Sequence, residues 1–99
     1  MDAQAVLDWC RSRPGVTDEQ PFGPDTRVFK VWDKMFVVLP ADRPTHITLK
    51  CDPLFAEQLR AEYAAIQPGY HTNKRHWNTV RLDGTLPSDL VEDLLGHAY

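Results

Sequence analysis

Apolar positions along the 99-residue chain switch between helical and extended spacing, and each switch marks an element. Ala3, Val6, Leu7 and Cys10 recur at helical intervals with Trp9 on the margin, and Asp2 precedes them as an N-cap, which predicts a first helix to about Arg13. Pro14-Gly15 stops it. Val16 through Phe22 reads as an irregular edge strand, since Pro21 lacks the donor a central ladder needs, and Gly23-Pro24-Asp25 is its turn. Arg27 to Trp32 alternates, with Phe29 and Val31 on one face and Lys30 on the other, and Asp33-Lys34 is the expected tight reversal. Met35 to Leu39 is apolar throughout, which predicts a central strand covered on both faces. Ile47 and Leu49 alternate with His46, Thr48 and Lys50 in another half-buried strand, completing an antiparallel meander.

Asp52-Pro53 starts a second helix to about Ala64, with Phe55 or Ala56, Leu59 and Tyr63 inward. Gln67-Pro68-Gly69 ends that segment. A loop then feeds a strand from Trp77 to Leu82, Asp83-Gly84 turns the chain, and Leu90, Val91, Leu94, Leu95 and Ala98 mark a third helix. Strands between helices in this order predict an α+β sandwich, mainly antiparallel, with helices packed on one face of the sheet.

Length permits one domain over residues 1–99. A hydrophobic fraction of 42% and a charged fraction of 25% are ordinary for a globular chain. Cys10 and Cys51 lie on different elements without CxxC spacing, so reduced thiols are expected rather than a zinc ribbon or redox pair. The beginning of the chain has no basic-then-apolar leader, and no apolar run is long enough to cross a bilayer, which predicts a cytoplasmic protein. No heptad or apolar patch calls for a dimer, so a monomer is expected.

Net charge is −3, which excludes a protein that coats nucleic acid by bulk charge. Yet between Glu62 and Asp83 the chain holds no carboxylate, and that stretch contains Gly69-Tyr70-His71-Thr72-Asn73-Lys74-Arg75-His76-Trp77-Asn78. Amide, imidazole, hydroxyl, cationic and indole groups without a carboxylate suit an anionic partner. Lys74 and Arg75 are the candidate phosphate contacts, with Lys30, Lys34 and Lys50 extending the patch if their strand faces align, and His71 and His76 in support. Trp77 offers a stacking surface, and Asn73 or Asn78 a base-edge contact. The plainer alternatives are a solvated basic loop, a Trp77 packed in the core, and asparagines that satisfy loop backbone groups.

Pro21-Phe22-Gly23, Val28-Phe29-Lys30-Val31, Lys34-Met35-Phe36, Leu49-Lys50-Cys51-Asp52-Pro53, Pro68-Gly69-Tyr70-His71 and Asn73-Lys74-Arg75-His76-Trp77-Asn78 occur in order along nearly the whole chain. Together they resemble the MmcQ/YjbR family of small bacterial proteins. The resemblance implies a CyaY-like fold and DNA binding through a winged arrangement of loops and strands. Trp32-Asp33 departs from it, standing where relatives often carry glycine.

His71 and His76 are spaced to opposite sides of an extended chain with no third ligand nearby, and Asp2, Asp8, Asp18 and Glu19 are interrupted by Arg11 and Arg13, so no metal site is expected. No nucleophile elbow or phosphate-cradling glycine loop is present, and no cofactor or catalysis is predicted. The resulting expectation is a non-catalytic DNA-binding protein that contacts the phosphate backbone. The alternatives are a module docking an acidic protein, and a small-anion or metabolite binder lined by Tyr70, Asn73, Lys74 and His76.

Overall fold

The protein is described by a computed structural model over residues 1–40, 43, 45–70 and 72–99. Its elements are α1 (Ala3–Arg11), β1 (Val16–Glu19), β2 (Arg27–Val31), β3 (Lys34–Leu39), β4 (His46–Lys50), α2 (Pro53–Glu62), β5 (Ile66–Pro68), β6 (Trp77–Arg81) and α3 (Ser88–Ala98). The strands form one six-stranded sheet in the order β1-β2-β3-β4-β6-β5, with every neighbouring pair antiparallel.

Both predicted N-caps form: Asp2 Oδ1 accepts from Ala5 N at 2.9 Å, and Asp52 Oδ2 from Phe55 N at 3.3 Å. The first helix ends at Arg11, short of the expected Arg13, because Ser12 takes the C-cap position and donates its hydroxyl to Trp9 O. The edge strand ends at Glu19, so Phe22 belongs to a loop. β5 was not anticipated; it is a three-residue edge strand, where Pro68 costs no ladder bond that a neighbour requires.

The β2–β3 reversal lies one residue earlier than predicted. Trp32 and Asp33 form the turn with φ of 51° and 66°, and Val31 pairs with Lys34. Two positive φ values give the reversal a twist that matches the flanking strands, which a turn at Asp33-Lys34 would have disrupted together with the Val31–Lys34 pairing.

Cross-strand register sorts the sheet into two faces. Phe29, Val37, Leu49 and Asn78 align on one, with Ile47, Val80 and Ile66, and this is the face the helices cover. Val6 and Cys10 of α1, Ala56 and Leu59 of α2, and Val91, Leu94 and Leu95 of α3 join the same core. Burial pushes the Cys10 thiol up to about 12 and raises that of Cys51, so both remain protonated at neutral pH. Among the described residues, no helix is long and apolar enough to cross a membrane.

The opposite face carries Val28, Val38, Thr48 and Thr79, and beside them Lys30 with Met35, Lys50 with Trp77, and His46 with Arg81. A register shift between Phe29 and Lys30 lets Phe36 and Val37 both enter the core while Met35 turns to the other side. The apolar β3 strand is therefore central, but its two faces are covered unequally: Phe36 and Val37 are buried in the core, while Met35 and Val38 remain half-buried.

Candidate functional site

Two loops fold over the helix-free face and leave a cavity between them. One follows β5. Gly69 N donates to Trp77 O at 2.9 Å, and Tyr70 N donates to Thr79 Oγ1 at 2.8 Å, where Thr79 also shares a buried 2.8 Å hydroxyl contact with Thr48. Tyr70 thereby lies across the sheet, and Arg43 places its guanidinium 4.2 Å from the centroid of its ring. The other loop joins β1 to β2. It is shaped by Gly23 at φ +114° and by a 2.8 Å bond from the Gln20 amide to Pro24 O, and it carries an exposed Phe22.

The cavity has a volume of about 430 Å³. Phe22, Met35, Val38, Pro40, Tyr70 and Trp77 supply its apolar walls, and Thr26, Thr72 and Asn73 its polar ones. Next to it runs a shallow groove lined by Lys30, Lys34 and Lys50 together with Pro21 and Asp33. Phe22, Met35 and Trp77 belong to both, forming a ridge between the apolar compartment and the cationic one.

Trp77 is buried, yet it stands apart from the main core on the helix-free face, with Lys50 Nζ 5.3 Å from its ring centroid. Lys30 Nζ pairs with Glu19 at 3.3 Å. The Thr17 hydroxyl and then Lys30 hold the Glu19 carboxyl below its usual range, so this carboxylate moderates the positive charge near Lys30. Further along the face, burial and the neighbouring Arg43 and Arg81 lower the pKa of His46, favouring its neutral form.

The Asn73–His76 turn is separately braced. Asn73 Oδ1 accepts from Arg75 N at 3.0 Å, His76 N donates to Asn73 O at 3.2 Å, and Lys74 Nζ reaches back to Gly69 O at 3.0 Å. Lys74 O accepts from the Arg60 guanidinium of α2, and His76 O accepts from Cys51 N at 2.7 Å. Arg75 is exposed, with no side-chain partner among the described residues.

Of the sequence-predicted residues, Lys30, Lys34 and Trp77 meet at the groove, while Asn73 and Trp77 meet at the cavity. Lys74, Arg75 and His76 line neither; Lys74 braces its own loop, and Arg75 is the outward cation there. His71 lies outside the described residues. Asn78 points to the helix side, accepting from Arg60 Nε at 2.7 Å and donating to Ala56 O at 3.3 Å. Phe22, Thr26, Met35, Val38 and Pro40 were not anticipated, and no local periodicity marks them because the cavity is made by loops crossing the sheet.

The YjbR family model matches residues 11–99. The chain is 35% identical to Escherichia coli K12 protein YjbR over 103 aligned positions, spanning 100% of this chain and 85% of that protein. It is 36% identical to Escherichia coli O157:H7 protein YbdF, over 80% of this chain and 66% of that one. Among solved structures, the Deinococcus radiodurans protein DR2400, with its DUF419 domain, superposes with a TM-score of 0.89 at 38% identity, covering 99% of this chain and 75% of that chain. A Pseudomonas syringae protein superposes with a TM-score of 0.83 at 28% identity, over 100% and 97% of the two chains. The matched residues, 11–99, take in every strand of the sheet, and the chain belongs to the YjbR family.

Proposed function

We propose that this chain is a non-catalytic DNA-binding protein of the bacterial cytoplasm that acts as a monomer and seats phosphates on the lysine groove of its helix-free face. The observation that carries this reading is the convergence of Lys30, Lys34 and Lys50 on one groove beside Trp77. The acids Asp8, Glu57, Glu62, Asp89, Glu92 and Asp93 are exposed along the helices instead. A chain of net charge −3 thus has a cationic surface from which the helical acids are segregated. Ammonium groups neutralise phosphates without reading bases, so the binding is weakly selective for sequence. Arg75 adds a flanking contact from its turn.

Fluorescence-anisotropy titrations of labelled DNA at several salt concentrations test this. Three lysine contacts predict a log-log salt slope of roughly −3, and each lost contact reduces its magnitude by about one. Lys34→Ala/Lys50→Ala, with its fold checked by circular dichroism, is expected to lose about two units of slope, and Arg75→Ala less. Absence of binding at low salt, or a slope indifferent to the lysines, would remove DNA as the partner and turn the search to acidic proteins.

A further inference from the structure

Resting on the nucleic-acid reading above, we propose that the cavity receives one unpaired base of a single strand while the adjoining phosphates lie on the lysine groove. The two compartments are unlike in chemistry and share a ridge of Phe22, Met35 and Trp77. Among the described residues the cavity lining includes no cation, the Arg43 guanidinium being held on the Tyr70 ring, whereas Lys30, Lys34 and Lys50 line the groove. An occupant that satisfies both is a flat, largely apolar ring joined closely to negative charge. A nucleotide within a strand has that form.

The volume, about 430 Å³, falls in the roughly 300–1,000 Å³ range of small-molecule pockets and is ample for one base. Phe22, Tyr70 and Trp77 provide aromatic contact, which every base accepts because each has a π-face. Thr26 and Asn73 at the walls can meet a base edge, without the fixed bidentate pairing that would demand one base identity. A paired duplex keeps its bases stacked inside and must extrude one before it can enter, so single strands are favoured. Glu19 is paired with Lys30 and Asp33 also lines the groove, and among the described residues Lys34 and Lys50 are in no ion pair.

The test compares a short oligothymidylate with an abasic deoxyribose-phosphate strand of equal length, both titrated by anisotropy at one low salt concentration. The base-bearing strand is expected to bind on the order of tenfold tighter. Val38→Phe fills the cavity from the sheet and Thr26→Phe fills it from the loop, so that a folding defect in the first does not decide the outcome. Each is expected to bring oligothymidylate down to the abasic affinity and to leave abasic binding unchanged, whereas Lys34→Ala/Lys50→Ala weakens both strands alike. Equal affinity for the two strands in the wild type overturns the base site and leaves phosphate binding standing. No binding of either strand overturns both readings. Displacement of oligothymidylate by thymidine monophosphate at concentrations comparable to the strand's own Kd would assign the cavity to a free anionic ligand and overturn the strand as its occupant.

Discussion

At Gly69 there is no room for even a methyl group. A Cβ there would lie 2.1 Å from Thr72 Oγ1, 2.7 Å from Trp77 Cβ and 2.9 Å from Trp77 O. The hydroxyl could turn away, but the Trp77 backbone is held in β6 against β4, so the loop would have to lift off the sheet. Gly69→Ala is therefore expected to destabilise the protein by roughly 2 kcal/mol in denaturant titration. The same lift would open the wall formed by Tyr70, whose backbone amide is the next anchor. A second residue-scale prediction concerns acid. The Thr85 hydroxyl and amide, followed by Arg81, hold the Asp83 carboxyl at about 2, below its ordinary 3.8. A depressed carboxylate contributes stability that is fully present above the unfolded value and lost as pH falls through the folded one. Asp83→Asn should lower Tm slightly at neutral pH, because the group is exposed and well screened, and the difference should close between about pH 4 and pH 2. A gap that persists unchanged at pH 2 would refute this account.

In the β2–β3 hairpin the turn residues conflict with the geometry they adopt. Trp32 and Asp33 both adopt positive φ, and Trp32 is 84% exposed, so the indole recovers little by burial for the left-handed backbone it occupies. Asn-Gly suits such a reversal better. Trp32→Asn/Asp33→Gly is expected to gain roughly 1 kcal/mol, or about 4–8 °C in Tm for a domain of this size. An unchanged or lower Tm would mean that Trp32 has a stabilising contact beyond its approach to Gly15. The hairpin also shows how much of an element local chemistry discloses. Alternation placed Phe29 and Val31 opposite Lys30, as the sheet does, because side-chain direction follows directly from a period of two. The turn lies one residue before Asp33-Lys34, since pairing of Val31 with Lys34 outweighs the turn preference of that dipeptide.

At the scale of the whole molecule, the sheet separates charge as well as hydrophobicity. Its helix side ends in exposed acids, while its other side carries Lys30 and Lys50, which with Lys34 of the hairpin line one groove, so the salt slope of the proposed DNA binding would measure a property no single loop possesses. The local sequence determined the helices, their Asp2 and Asp52 caps, most of the strands, and the apolar faces that meet in the core. Those follow from spacing and capping over a few residues. It also drew attention to the carboxylate-free stretch around Lys74 and Arg75. Only the tertiary structure decided that Lys74 braces Gly69, that the Asn78 side chain bonds to α2, and that Lys50 lies against Trp77. It likewise decided the cavity, whose walls come from loops and strands far apart in the chain. The physical reason is the register of β4 on β6: pairing Lys50 with Trp77 across the sheet is a long-range contact, and periodicity within either strand carries no information about its partner.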